Sequence, residues 1–433
     1  MRIKSSFLAL ALLGCALRVL RAEPTPMPSP QSQLPEKPNK EESPWPTGTA
    51  LDLMIHPIKQ GMALFLPSIA TDPNSGVTYG VMPIWVLQSP KTQQIEYIHA
   101  PSVTYNEYFG WSATYRLYYY PTADSNLVLR GAWDKDDHEA YASYQDQKFL
   151  HKNIALNLLF QDNVDASRRF FGIGPGTPLG AQTNYTEDYI RTQASLGMPL
   201  GYDSLWKVYT SNHFISERTY NGPIPGFASF QATYPEQSSL SRQSIDEWRL
   251  ALAYDSRDGT ITPTHGALLK LYAGYAAQSL GSQYDYDRYG IDARYLHDWN
   301  NPKAGITAVQ FQSSQLLGTN VPFWALPSLG GKYSLRAYGD GRFVDNGMAA
   351  VNAEERFTVY KKEMAGVQIE AQVAPFAGLG TVYNSPEDAQ SKYLRPVVGT
   401  AFRAIAPPQV VGSIDLGFGQ EGAAIFMDVN YSF

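Results

Sequence analysis

Ala424-Ile425-Phe426-Met427-Asp428-Val429-Asn430-Tyr431-Ser432-Phe433, the last ten residues, alternate in polarity. Side chains two apart on a strand share a face, so Ile425, Met427, Val429, Tyr431 and Phe433 form one wholly apolar face, opposite Ala424, Phe426, Asp428, Asn430 and Ser432. The same period recurs upstream. Trp248, Leu250, Leu252 and Tyr254 alternate with Glu247, Arg249, Ala251, Ala253 and Asp255, and Tyr289, Ile291, Ala293 and Tyr295 alternate with Arg288, Gly290, Asp292 and Arg294. A soluble sandwich also alternates, with its charges outside. Here the polar faces are too crowded with small and charged residues for a dry core, and the apolar faces are rich in aromatics. In hydrocarbon every backbone polar group must be paired within the chain, which leaves only helices and closed barrels as membrane-spanning structures. The pattern predicts an all-β protein, a transmembrane antiparallel β-barrel with its apolar faces outward.

Composition agrees. The 433 residues are 44% hydrophobic but only 17% charged, with 29 Tyr, 19 Phe and 8 Trp. A chain of this length would form two or three soluble domains or one large barrel. The single Cys excludes a disulfide framework and a Cys-based zinc cluster. The net charge of -6, and the absence of any basic excess, argue against nucleic acid as a partner. The seven His show no metal-ligand spacing, so neither a metal nor a cofactor is expected.

The N-terminus reads as a secretory signal peptide over residues 1–22, a basic start running into the apolar stretch Phe7 to Leu20. Two processing sites are open: cleavage after Ala22, or the lipoprotein-like box Leu12-Leu13-Gly14-Cys15, which would place a lipid on Cys15. No later run of about 18 apolar residues exists to span a membrane as a helix. Residues 23–50, with Pro at 24, 26, 28, 30, 35, 38, 44 and 46, read as an extended periplasmic linker. Residues 51–77 are left undecided between a first strand, a periplasmic arm and a plug. The barrel is expected over 78–433.

Seventeen candidate strands are legible there, from Thr78–Leu87 to Ala423–Phe433. A barrel with both ends on the periplasmic side needs an even number. The long connections 162–182, 217–243 and 317–347 should all be extracellular, which requires an odd number of strands before the first of them. Six are legible there, so one early strand is taken as overcounted and sixteen strands are expected.

Inside the longest connection, Leu329-Gly330-Gly331-Lys332-Tyr333-Ser334-Leu335-Arg336-Ala337-Tyr338-Gly339, followed by Glu354-Glu355-Arg356-Phe357, resembles the signature of the BamA/TamA superfamily of outer-membrane assembly and secretion barrels, also called the bacterial surface antigen family. Leu335-Arg336-Ala337-Tyr338 matches the sixth-loop motif except that Ala replaces a Gly. Asp255-Ser256-Arg257-Asp258 through Gly266 is similar to that family's periplasmic turn, and Phe170-Phe171-Gly172-Ile173-Gly174 to a segment before one of its middle strands. The resemblance covers about residues 165 to 433. It implies a long sixth extracellular loop folded into the lumen, with Gly330, Gly331, Leu335, Arg336 and Tyr338 as its anchor.

A guanidinium in such a place must find carboxylates, because burying it unpaired is costly. Glu354, Glu370 and Asp415 are the lumen-facing acids on later strands and the expected partners of Arg336. The family's strand motif Phe-x-Asp-x-Gly appears here as Phe376-Ala377-Gly378-Leu379-Gly380, and Gly378 offers no carboxylate. Val429, Tyr431 and Phe433 are similar to the sorting signal that the barrel assembly machinery reads.

The resemblance implies a multi-pass protein of the bacterial outer membrane. It would be a conduit for inserting or translocating protein or lipid through a seam between first and last strands. Between the signal and Thr78 there is little room for the folded periplasmic (POTRA) modules that insertion factors carry, so a barrel-only member is expected. Its expected partners are outer-membrane lipid and lipopolysaccharide, the machinery that inserts it, and a cargo. The alternative is a diffusion porin or a structural surface antigen. Ser, His and Asp are available for a rim hydrolase, but availability is not geometry, so no enzyme is expected.

Overall fold

Period-two alternation leaves each segment one face for lipid and one for the interior, so neighbours in sequence can pair edge to edge in chain order. The computed structural model describes residues 55–90, 94–122, 124–202, 204–301, 305–364, 367–406, 409–428 and 431–433. The first nine strands are β1 (Gly61–Asp72), β2 (Gly76–Gln88), β3 (in two pieces, Ile95–His99 and Ser102–Asn106), β4 (Gly110–Thr122), β5 (Ser125–Trp133), β6 (His138–Asp146), β7 (Ala155–Asp165), β8 (Thr183–Pro199) and β9 (Trp206–Asn221). They are followed by β10 (Ser239–Asp255), β11 (Gly266–Ala276), β12 (Tyr286–Asp298), β13 (Ile306–Gly318), β14 (Gly347–Met364), β15 (Val367–Tyr383), β16 (Arg395–Ala406), β17 (Gln409–Gly419) and β18 (Gly422–Asp428). Each pairs antiparallel with the next, and Thr71 of β1 pairs with Ile425 of β18 to close the sheet into a barrel. A short arm, Ile55–Ile58, pairs with the start of β1.

The expected alternation is realised. On β10, Trp248 and Leu250 are 49% and 61% exposed on the outer face while Glu247 is 3% exposed inside. Trp111 and Trp133 stand exposed at one end of the barrel and Trp299 at the other, the places where interfacial aromatics belong. Among the described residues no helix is long and apolar enough to cross a membrane.

The strand count is eighteen among the described residues, not sixteen. All seventeen segments read from the sequence are strands, and the one omitted is β1, so the barrel begins at Gly61 rather than at residue 78. Parity holds with one strand more than the sequence suggests rather than one fewer: seven strands, an odd number, precede the connection 166–182. The reason β1 hides is physical. Its inward residues Met62 and Leu64 are apolar like its outward Phe65, because they pack with Ile84, Val86, Ile98, Ile369 and Ala406 in an apolar cluster inside the barrel. With both faces apolar there is no alternation to read.

The long connections 166–182, 222–238 and 319–346 share one end of the barrel, here the loop end; the opposite end is the turn end. Counted from β1, the 319–346 connection is the seventh on its side, not the sixth. Beside β1 to β6 the interior holds a cavity of about 830 Å³, lined by groups such as Ser68, Thr104, Arg116, Tyr141 and Gln145. Residues 1–54, with the signal segment, the Pro-rich linker and Cys15, lie outside the described residues.

Candidate functional site

The 319–346 connection is shaped by two glycines. Gly330 and Gly331 have φ of +124° and +78°, and a Cβ on Gly330 would lie 2.0 Å from the Gly339 carbonyl oxygen. The Gly331 N–H donates to the Tyr338 carbonyl at 2.8 Å, and the Ser334 hydroxyl accepts from the Gly330 N–H at 2.8 Å. This closes a small loop that presents Leu335-Arg336-Ala337-Tyr338. Leu335 is buried with Leu329, Phe343, Ala350, Phe376, Val382 and Val397. Ala337, where the resembling motif has Gly, is accommodated because the residue opposite is Gly419, whose Cβ would meet the Ala337 methyl at 3.0 Å.

Arg336 is 1% exposed. Its Nη1 donates to Glu354 Oε2 on β14 and to Asp415 Oδ2 on β17, each at 3.0 Å. Its guanidinium carbon sits 3.5 Å from the centroid of the Phe376 ring on β15, so a cation–π contact covers the face that the carboxylates do not reach. Glu354 also accepts from Arg356 Nε at 2.7 Å and from Arg403 Nη1 and Nη2 at 3.1 and 3.0 Å. Three guanidiniums thus share two carboxylates in a buried network, an arrangement that is costly to break at any member. The loop backbone fits as closely as the charges do: a Cβ on Gly417 would lie 1.8 Å from the Arg336 carbonyl oxygen.

Of the three acids expected to meet Arg336, Glu354 and Asp415 do so. Glu370 does not; it pairs with Lys361 at 3.1 Å and accepts from Gln368 at 2.7 Å. Gly378 leaves no room for the carboxylate of the resembling motif, since a Cβ there would lie 2.4 Å from Asn352 Oδ1 and 2.9 Å from Val397 Cγ1.

The Omp85 superfamily domain model matches residues 108–419, more than two thirds of the sequence. The chain belongs to the Omp85 superfamily. As an Omp85 barrel it is a protein of the bacterial outer membrane. Among solved structures it resembles CdiB from Escherichia coli (10% identity, TM-score 0.50, covering 84% of this chain and 66% of that one), which supports the fold. It is also similar to BamA from Haemophilus ducreyi lacking POTRA domains 1–3 (14% identity, TM-score 0.48, 85% and 69% coverage) and to CdiB from Acinetobacter baumannii (12%, 0.41, 87% and 60%). No curated protein matches the sequence significantly.

In this Omp85 barrel the 319–346 connection touches both sides of the closure between β1 and β18. On one side Asn74 Nδ2 donates to the Asp340 carbonyl at 2.8 Å. On the other, the Gln420 N–H donates to the Tyr338 hydroxyl at 3.1 Å and Arg342 pairs with Glu421 at 2.6 Å. The neighbouring connection joins in: Arg168 pairs with Asp340 and with Glu187 at 3.1 Å, Phe171 lies under the Arg342 guanidinium at 4.0 Å, and Phe170 packs on Phe323 at 4.3 Å.

The turn Asp255 to Gly266 of the Omp85 barrel lies at the turn end as expected. Arg257 pairs with Asp255 at 2.8 Å, Asp258 accepts from the Thr264 N–H at 2.9 Å, and Gly266 has φ +104°. The turn also reaches the Arg336 network, through a bond from Arg356 Nη1 to the Pro263 carbonyl at 3.2 Å.

The last residues depart from expectation. Among the described residues β18 alternates to Met427, and the apolar face does not continue outward at Tyr431; Val429 lies outside the described residues. Tyr431 donates to Gln372 at 3.1 Å and lies under Arg356 and Arg403 at 4.0 and 4.7 Å. Ser432 bonds Asp415 at 2.8 Å, and the Phe433 main-chain oxygen accepts from Arg356 at 3.0 Å. Three arginines with two carboxylates have donors and π-acceptor faces to spare, and the tail supplies the matching groups. Sequence reading missed Arg403 and Phe376 as members of this site. The available signal was their inward parity on their strands, but nothing local distinguishes them from other interior residues.

Proposed function

We propose that this Omp85 barrel inserts or translocates polypeptide, or lipid, across the outer membrane, with the 319–346 connection folded into the lumen as a plug anchored by Arg336 and the β1–β18 closure as the lateral exit. The observation that carries this reading is the imbalance at β1. Along one edge it pairs with β2 over its full length of 12 residues, whereas on the other, among the described residues, it shares one backbone pair with β18, Thr71 with Ile425. A ladder of one pair opens at a small fraction of the cost of any other in the barrel. The partners in this reading are the lipid and lipopolysaccharide around the seam, the assembly machinery that reads Val429, Tyr431 and Phe433 before folding, and a cargo. We read the protein as no enzyme.

Single-channel conductance of the refolded protein in planar bilayers, wild type beside Arg336→Ala, tests the plug. A low, fluctuating conductance that rises in the variant is the expected result. The same large, steady step in both would favour a diffusion porin, for which the interior cavity of about 830 Å³ would be part of the pore.

A further inference from the structure

The arm Ile55–Ile58 runs antiparallel to the start of β1, with Ile55 opposite Leu64, His56 opposite Ala63, Pro57 opposite Met62 and Ile58 opposite Gly61. A strand has two edges, and β2 takes one edge of β1 from Gly61 to Asp72. The arm therefore lies on the other edge, the one that faces β18. Among the described residues β18 shares one backbone pair with that edge, Thr71 with Ile425, and one further contact, from the Ile69 N–H to Met427 Sδ at 3.0 Å, both toward the loop end. Among the described residues β18 runs to Asp428, and Tyr431 to Phe433 are held by the arginine network instead of running along β1. The arm thus stands where the last strand would have completed the wall.

Its hold on that place is slight. It has four residues, one of them Pro57, which has no N–H to give to a ladder. His56, Pro57 and Ile58 are exposed, and the side-chain contact visible for the arm is the edge-on packing of His56 on Phe65 at 5.9 Å. A few backbone hydrogen bonds, each contributing about 1 kcal/mol net, with little apolar burial, give a segment that leaves far more readily than any barrel strand. An unpaired strand edge is otherwise a template for any extended chain.

We infer that Ile55–Ile58 is a stopper built into the chain: it caps the exposed edge of β1 in cis, and an incoming extended polypeptide segment gains that edge only when the arm has left it. This deepens the proposed function, since it regulates the same seam, but its test does not depend on cargo passing through the barrel. The probe is a fluorescein-labelled synthetic peptide with the sequence of residues 51–60, titrated against the full chain in detergent micelles and followed by anisotropy. Three proteins are compared: the wild type, the triple variant His56→Gly/Pro57→Ser/Ile58→Gly, and the pair variant His56→Cys/Ala63→Cys in oxidised and reduced forms.

The triple variant should bind the peptide at least about tenfold more tightly than wild type. The oxidised pair variant should not bind it, and reduction should restore wild-type behaviour. Equal binding by wild type, triple variant and oxidised variant would overturn the inference, because the peptide would be docking elsewhere. Absence of binding to the triple variant, with its heat-modifiable folding intact, would overturn it too, because the vacated edge would then accept no strand. If the peptide result holds while conductance is that of a steady porin, the stopper stands and the insertion reading fails.

Discussion

The two halves of the barrel interior use the same strand geometry to opposite ends. Along β14 to β17 the inward positions include Glu354, Arg403, Asp415 and the glycines 378, 399 and 417, and the 319–346 connection packs against them so closely that the Arg336 carbonyl excludes a methyl group at Gly417. Along β1 to β6 the inward positions are Ser68, Thr104, Arg116, Tyr141, Ser143 and Gln145, and a cavity remains. The strands differ as well: β14 and β15 have 18 and 17 residues, β5 and β6 have 9 each. What distinguishes one half is the combination of small residues that admit a loop backbone and charges that hold it there.

Filling Gly417 should break this contrast most severely. Gly417→Val places a side chain on the Arg336 carbonyl, and we expect a loss of about 3 kcal/mol or more, seen as absence of the heat-modifiable folded band. Next comes Arg336→Ala. It takes one of three guanidiniums from Glu354 and the hydrogen-bonded one from Asp415, so a loss of about 2 kcal/mol is expected, read as a lower midpoint of the band shift with the protein still assembled. A variant at wild-type stability would mean that the network is carried by Arg356 and Arg403 alone.

A smaller effect is expected at the loop end of the half that holds the cavity. Asp137, in the turn between β5 and β6, accepts from the Ala166 N–H at 2.5 Å. Burial, and then the nearby Asp165, push its carboxyl up to about 8. A carboxyl whose folded value is raised stabilises the folded state while it is protonated, here because burial and Asp165 outweigh the Ala166 bond, so stability from this source falls as pH rises from about 4 to about 8. Amide exchange at Ala166, corrected for its intrinsic pH dependence, should lose protection across that window in the wild type and be flat in Asp137→Asn. The smallest effect belongs to the open half: Arg116→Ser, which loses a bond to Ser102 of 3.1 Å, should shift stability by less than about 0.5 kcal/mol while changing the cation-to-anion preference of the residual conductance. A large destabilisation there would mean that the cavity wall is under the same constraint as the half that holds the Arg336 network.

Which features were legible follows from how local they are. Alternation is a two-residue property, so segments such as Trp248 to Tyr254 announce themselves, whereas β1, with Met62 and Leu64 apolar on its inner face, does not. Arg336 stood out because Gly330, Gly331, Leu335 and Tyr338 around it resemble the superfamily's loop motif. Arg403 and Phe376 did not, because a lone Arg or Phe at an inward position has no signature until its neighbours across the lumen are known. The tail was misjudged for the same reason: the alternation of Val429, Tyr431 and Phe433 is real, but three arginines from elsewhere in the chain compete for the rings and the Ser432 hydroxyl.

By itself, then, the sequence determined that this is a membrane barrel, which ends carry long loops, and that Arg336 must find carboxylates, since each rests on short-range periodicity or on the cost of burying a charge. Tertiary structure alone decided the strand number, the choice of Glu354 and Asp415 over Glu370, the inward course of Tyr431 to Phe433, and the place of Ile55–Ile58 on the edge of β1. These depend on groups that closure brings together across long stretches of chain, 79 residues in the case of Arg336 and Asp415. The energy of such a contact is set by position in space, which no local pattern encodes.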